Sequence, residues 1–217
     1  MITEALLGAK LVLFGLVMKN DSPLRTFAMS LHMINSLMLV GSITLLWSLA
    51  FENPGHWRET LDGIKFQKSW AKRRIIGVTI IFAFLATSGA IAALASTLFP
   101  SESLLDGLNQ DLSSSSHYLI RLRILHPILG ILVGSGLGGL AWFYSEGLKA
   151  STELSLAAKR LSQVCFVAVP FGIITLLSLA PEWMKLTHLL LAHSLWISLV
   201  LVMKNVLWQQ STGFSSK

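Results

Sequence analysis

The apolar and polar positions of this chain fall into long alternating blocks. Apolar stretches near the roughly 20 residues that a spanning helix needs are separated by short segments holding most of the charges. This pattern predicts an all-α integral membrane protein, because the alternative, a closed β-barrel, needs short segments of alternating polarity that are absent here. About six transmembrane helices are predicted, at 3–18, 24–50, 73–98, 117–145, 157–180 and 183–208.

The first predicted helix is the weakest of the six. It is the shortest, and it contains Glu4 and Lys10, whereas long parts of the other segments carry no charge at all. A charged side chain in the middle of a bilayer costs about 3 kcal/mol on insertion scales. The prediction of a membrane protein therefore rests mainly on the other five segments.

Composition supports a membrane protein. Hydrophobic residues make up 53% of the chain and charged residues only 13%, where a soluble domain has about 25% charged residues. The net charge of +6 does not indicate nucleic acid, because the basic residues flank apolar segments instead of lining one polar face. Membrane lipid is the expected partner. The single cysteine, Cys165, lies in an apolar run and is expected to be buried as a small hydrophobe.

The distribution of Lys and Arg predicts the orientation. Eleven of these residues fall in segment 51–74, in connection 146–160 and near the C-terminus at Lys204 and Lys217, against five on the opposite side. By the positive-inside rule both termini lie in the cytoplasm, and the plasma membrane is the expected location. Segment 51–72 is predicted to be a cytoplasmic amphipathic connection lying at the interface, and 209–217 a cytoplasmic tail.

Four of the six histidines lie inside predicted spans, where an ionisable side chain indicates function. At 1.5 Å per residue, His32, His126 and His188 lie roughly 8 to 14 Å from the outer ends of their helices. His193 is about 8 Å deeper than His188 and points well away from that face. Of the other two, His56 is expected to be solvated. His117 is expected to lie at the surface or to cap a helix.

Imidazoles at matched depth on different helices suit axial ligation of a haem iron. The alternative is that each one bonds a neighbouring helix. A glycine stripe, Gly130, Gly134 and Gly138, continues the face of His126 and admits either a helix or a flat macrocycle. Arg121 and Arg123 lie about one turn outward, where they are candidates to pair with haem propionates or, alternatively, to reach the interface.

The segments around His32 and His188 resemble each other, which indicates a duplicated four-helix unit. Residues 73–208 then form a complete C-terminal four-helix unit with His126 and His188. Residues 1–50 form the last two helices of an incomplete N-terminal half, with His32.

Several short sequence motifs surround these histidines. The most specific is Arg-Leu-Arg-x-x-His-Pro, which ends at Pro127 and follows a Leu-Phe-Pro connection. With the others, it makes the sequence resemble the haem A synthase family over nearly the whole chain. The segments that carry the resemblance are 4–8, 32–36, 93–100, 117–127 and 188–192.

Members of that family are eight-helix proteins that oxidise a methyl group of haem O to the formyl group of haem A. The resemblance implies that His126 and His188 ligate the iron of a b-type cofactor haem, and that His32 is one iron ligand at the substrate site. It also implies haem O as substrate and haem O synthase as a partner. No catalytic residue is assigned.

The sequence departs from the family pattern at its start and at Ser96, where many relatives have Asp. The resemblance implies that this sequence corresponds to the last six of the eight helices, so the first two are expected to be absent from it, with the Glu-and-His motif that supplies a partner for His32 and a catalytic carboxylate. A separate chain carrying the N-terminal half, or a homo-oligomer, is the expected complement. Two alternatives remain: a membrane cytochrome that passes electrons without modifying haem, and an assembly subunit without cofactor.

Overall fold

The computed structural model describes residues 1–17, 19–51, 69–147 and 152–212. Within these ranges the chain forms helices and no strand. The helices are α1 (Ile2–Leu13), α2 (Pro23–Ala50), α3 (Ser69–Leu98), α4 (Leu104–Leu112), α5 (Tyr118–Arg123), α6 (Leu125–Gly147), α7 (Thr152–Leu177) and α8 (Glu182–Thr212).

Five stretches of the described chain are long and apolar enough to cross a membrane. Four of them lie in α2, α3, α7 and α8, and the fifth runs through α5 and α6, which are separated by Ile124. The predicted all-α membrane fold is therefore confirmed, and the protein is a multi-pass membrane protein. The five stretches are Pro23–Ala50, Lys72–Leu98, Tyr118–Glu146, Thr152–Leu177 and Glu182–Leu207.

The predicted crossing at 3–18 is not supported by the described residues. Helix α1 has 12 residues, which gives it a length of about 18 Å, against an apolar bilayer core about 30 Å thick. It ends because Gly15 adopts a left-handed conformation with φ of 62°. The amide of Leu16 then bonds the carbonyl of Leu11, the arrangement that closes a helix at a glycine.

A second local signal sets the start of α2. The side chain of Ser22 accepts a hydrogen bond from the backbone amide of Arg25, and Pro23 occupies the first turn. Serine before proline satisfies an otherwise unpaired amide and fixes the backbone for a helix. The first crossing of the described chain therefore begins where its sequence predicts.

A buried core joins α2, α3, α6, α7 and α8. Its centre is Trp196, whose indole donates a 2.7 Å hydrogen bond to the carbonyl of Leu37 and stacks on Phe82 at 5.1 Å. Cys165 is buried in the same core, as predicted. The other buried members of this cluster are Ala141, Leu161, Ala168, Leu195, Leu199 and Val200.

The glycine stripe of α6 packs against α7. A methyl group at Gly134 would lie 2.5 Å from Val169, and one at Gly138 would lie 2.9 Å from the β-carbon of Cys165. Gly130 has no such neighbour within 4 Å. Of the two interpretations of the stripe, close helix packing accounts for Gly134 and Gly138.

Two predictions fall mainly on residues outside the described ranges. These are the amphipathic connection at 51–72, which includes His56, and the end of the tail. The last described helix extends to Thr212 instead of ending near 208.

Candidate functional site

His126 and His188 meet between α6 and α8. His126 is the second residue of α6, and His188 lies in the second turn of α8. Their ring centres are 6.1 Å apart, with the ring planes inclined at 74°. Metal–imidazole bonds are about 2 Å long, so two rings that share one metal from opposite sides have centres about 6 Å apart. The spacing of this histidine pair therefore fits ligation of a common iron.

A glycine lies beside each ring of the pair. A methyl group added at Gly89 of α3 would come within 2.8 Å of the His126 ring, and one at Gly172 of α7 would come within 2.8 Å of the His188 ring. Side-chain carbons essentially never approach that closely. The two glycines thus provide the space in which the imidazoles lie, and alanine at either position forces the ring to move.

Ser88 determines which nitrogen of His126 carries the proton. The serine hydroxyl donates its single proton to the carbonyl of Leu85 at 2.7 Å. Its oxygen lies 3.2 Å from Nδ1 of His126 and so acts there as an acceptor. Because Nδ1 must then be the donor, Nε2 of His126 keeps a free lone pair, as a metal ligand requires.

His188 is held by an aromatic contact. Phe171 stacks on its ring at 6.4 Å, with the planes only 14° apart. The Nδ1 atom of His188 is buried and has no hydrogen-bond partner among the described residues. A buried polar atom without a partner costs about 1–3 kcal/mol. Together with the pair's spacing, the glycine contacts and the Ser88 bond, this atom makes the site fit a metal-centred group such as haem.

His32 does not join this pair. It lines a cavity of about 320 Å³ between α1, α2, α3 and α8, together with Ala90 and His193. Its Nδ1 lies 3.3 Å from a carboxylate oxygen of Glu4 in α1. The structure therefore brings together two of the three histidines predicted at matched depth, and it places the third in this separate His32 cavity.

Arg123 has other partners than those predicted. Its guanidinium forms an ion pair with Asp111 at 2.6 Å, and both side chains are largely buried. It also donates to the carbonyls of Phe99 and Gly107 and to the hydroxyl of Ser101. These contacts fix α4 against α5. They occupy the guanidinium group of Arg123, which was predicted to bind a haem propionate.

Arg121, by contrast, is exposed. His117 acts as the predicted cap, since its ring nitrogen accepts from the amide of Leu119 at the start of α5. The pairing of Arg121 with a propionate stays a prediction.

Sequence reasoning missed Ser88, Gly89 and Gly172. Each is a small residue in a predicted span, and small residues at spacings of four had already indicated close packing in α6. No local pattern shows which of them faces a histidine on another helix.

The geometry defines a multi-pass helical membrane protein with a candidate site formed by two imidazoles. The model of the COX15-CtaA family, described as cytochrome oxidase assembly protein, matches residues 1–200. The chain therefore belongs to this family of cytochrome oxidase assembly proteins.

Two curated relatives, from two strains of Thermus thermophilus, are similar to the chain. Each is named protoheme IX farnesyltransferase and is 32% identical over 208 residues, which cover 95% of this chain and 33% of the relative. The chain thus spans about a third of the length of the curated relatives it matches. No solved structure matches it.

Proposed function

We propose that this chain is a membrane oxidoreductase of the haem A synthase type, in which His126 and His188 ligate the iron of a b-type haem. Its reaction would be oxidation of a methyl group of haem O to the formyl group of haem A. The observation that carries the proposal is the 6.1 Å spacing of the two rings. Membership of a cytochrome oxidase assembly family supports it.

The roles of the chain's own residues follow from their contacts. A bound haem supplies one-electron redox chemistry that side chains lack. Ser88 keeps the proton of His126 on Nδ1, which leaves Nε2 for iron. Gly89 and Gly172 leave room for the two rings. His32 would be an iron ligand at the substrate site, in the cavity that Ala90 of α3 also lines.

The substrate and the partners belong to the same proposal. The relatives are named for transfer of a farnesyl group to protohaem, and about two thirds of each lies outside the match. That a region similar to this chain occurs in such polypeptides supports a haem O synthase as partner. A separate chain carrying further helices, or another copy of this chain, is proposed as a partner at the His32 site.

The location is also proposed. We propose the plasma membrane, and the charge distribution favours a cytoplasmic C-terminus and a haem site toward the outer face. A cytoplasmic N-terminus would require α1 to cross as well, and among the described residues this helix has 12 residues. Accessibility labelling of single cysteines introduced in the 99–117 connection tests this orientation. Labelling from the cytoplasmic side would contradict it.

The main test is a reduced-minus-oxidised spectrum of the full chain purified in detergent. The wild type should show a b-type α band, and either His126→Ala or His188→Ala should abolish it, because one of the two imidazoles that would hold the haem is then missing. His117→Asn is the matched control. Asparagine also caps a helix, so this variant loses a histidine and keeps the band.

Two results would contradict the proposal. One is a well-folded wild-type chain without colour, which would favour an assembly subunit without cofactor. The other is an α band that survives in the double variant lacking both histidines.

The second candidate is a membrane cytochrome that transfers electrons and leaves haem unmodified. It is favoured by one observation: the described residues bring the two rings of the pair to 6.1 Å, and a haem held by two histidines is sufficient for electron transfer. Both candidates share the spectrum. The two candidates are distinguished by analysing the haem extracted from cells that supply haem O and express the chain. Only the oxidoreductase, when its partner chain or copy is present, should yield haem A.

A further inference from the structure

Glu4 is a carboxylate on a mostly apolar helix, and it faces α2. The side-chain amide of Asn35 donates to one of its carboxylate oxygens and the hydroxyl of Ser36 donates to the other. A charge near lipid is tolerated when it is paired in this way. These bonds fix the carboxylate in place and attach α1 to α2.

The same carboxylate lies beside His32. Its Oε1 atom is 3.3 Å from Nδ1 of the histidine. This nitrogen is buried and makes no hydrogen bond within the described part of the chain, so the contact is electrostatic. An ionised carboxylate only accepts. It therefore favours a proton on Nδ1, and the lone pair of His32 is then on Nε2.

His193 shows the same arrangement in the same cavity. Its Nδ1 lies 2.9 Å from the carbonyl of Leu189, which is also an acceptor only. Both histidines that line the His32 cavity thus have Nδ1 next to an oxygen acceptor. Metal-ligating histidines in proteins are oriented in this way by a second group.

We propose that Glu4 is the positioning residue of His32, holding its Nδ1–H tautomer so that Nε2 is available to the iron of a haem bound at this cavity. The proposal rests on the proposed function and deepens it, because it concerns the second haem site and not the His126–His188 pair. Glu4 itself would not contact the haem.

The first test needs no haem. In the full chain with ¹⁵N-labelled histidine, the two ring nitrogens of His32 have distinct chemical shifts, assigned by loss of the signal in His32→Asn. The wild type should show a protonated Nδ1. In Glu4→Ala the proton should move to Nε2, the position that a free imidazole prefers. Glu4→Gln retains a carbonyl acceptor and should keep the wild-type pattern.

A control variant tests whether the His32 signals respond to the loss of any contact between segments or only to the loss of Glu4. Thr26→Val removes the 2.8 Å bond between Thr26 of α2 and the hydroxyl of Tyr118, which is another contact between segments. It should leave the His32 signals unchanged. If Glu4→Ala does not fold, Glu4→Leu repeats the test with a side chain that packs well in an apolar setting.

The second test is titration of the detergent-solubilised chain with haemin. After the first equivalent fills the His126–His188 site, a second equivalent should bind, and Glu4→Ala should weaken it by about 10-fold or more. The proposal is overturned if the His32 tautomer does not change, if no second equivalent binds, or if its affinity is equal in wild type and variant. Loss of the first equivalent would instead contradict the proposed function, while the tautomer measurement still reports on Glu4.

Discussion

The two histidine regions of this protein are built differently. The ring centres of His126 and His188 lie 6.1 Å apart, and each ring lies beside a glycine of another helix. His32 lies in a cavity, beside a carboxylate that belongs to α1. The first region brings two imidazoles to the spacing that one iron requires, whereas the second has His32 and His193 lining the same space without such a ring contact.

The difference shows how much of each region depends on this chain. The pair is formed by α6 and α8 and is supported by α3 and α7, all within the C-terminal four-helix unit that the sequence predicts. The His32 cavity draws on α1, which is too short to cross by itself. We therefore expect the first region to withstand separation from other helices better than the second.

Filling the space beside a histidine of the pair should have the largest effect. In Gly89→Ala or Gly172→Ala, the new methyl group comes 2.8 Å from the imidazole and displaces it from the ligating position. Haem bound at the His126–His188 site should fall at least 10-fold, measured by the pyridine haemochrome assay on chain supplied with no more than one equivalent of haem. Haemin affinity of the His32 cavity should not change.

Gly136→Ala is the control for this prediction. A methyl group there has no neighbour within 4 Å, and alanine is favoured over glycine in a helix by about 1 kcal/mol. This variant should keep its haem and unfold at the same or a higher temperature. Equal haem content in Gly89→Ala and Gly136→Ala would mean that the glycine contact is irrelevant to binding.

Removing the hydroxyl of Ser88 should have a smaller effect on the same region. Without its oxygen, Nδ1 of His126 loses the acceptor at 3.2 Å. Haemin affinity should then fall by about 10-fold, the lower end for loss of a group that orients a ligand. Ser42→Ala removes an exposed serine that donates to the carbonyl of Met38, and its affinity should match the wild type.

Arg123 lies outside both histidine regions, and its substitution should affect stability and not haem binding. Arg123→Gln removes a largely buried ion pair with Asp111, and hydrogen bonds to charged groups are worth about 1.5–3 kcal/mol each. The variant should unfold at a lower temperature in detergent, as followed by circular dichroism. Its haem midpoint potential should change little, because the guanidinium binds protein oxygens.

Arg121→Gln should behave in the opposite way, with unchanged thermal stability and, if Arg121 pairs with a propionate, an altered potential. A large shift in potential for Arg123→Gln alone would reverse the roles of the two arginines. The double variant Arg123→Gln/Asp111→Asn tests the ion pair, since its loss of stability should be less than the sum of the two single losses.

Several features could be predicted from the sequence because they depend on local properties. Lipid requires each spanning segment to satisfy its own backbone hydrogen bonds, so a long apolar block is enough to indicate a helix. Five spans and the burial of Cys165 follow in this way. Gly15, which ends α1, is also a local feature of the sequence. A prediction based on the length of the apolar block gives little weight to a single glycine, and it therefore extended the helix too far.

Depth alone leaves open which face of its helix each side chain occupies. Depth along a helix can be counted at 1.5 Å per residue, and on that basis the sequence groups three histidines together. Rotation about the helix axis decides which of them meet, and one residue changes the direction of a side chain by about 100°. His32 therefore faces Glu4 and the cavity that it shares with His193, and Arg123 faces Asp111.

The sequence by itself determined that this protein crosses a membrane as helices and that ionisable rings lie within those crossings, since both follow from the polarity of each segment in turn. The resemblance implied the His126–His188 pair, and the tertiary structure decided the spacing of its rings, its contacts with Ser88, Gly89 and Gly172, and the approach of His32 to the carboxylate of Glu4. These contacts join residues on different helices. They depend on how the packed helices are rotated against one another, which no single segment encodes.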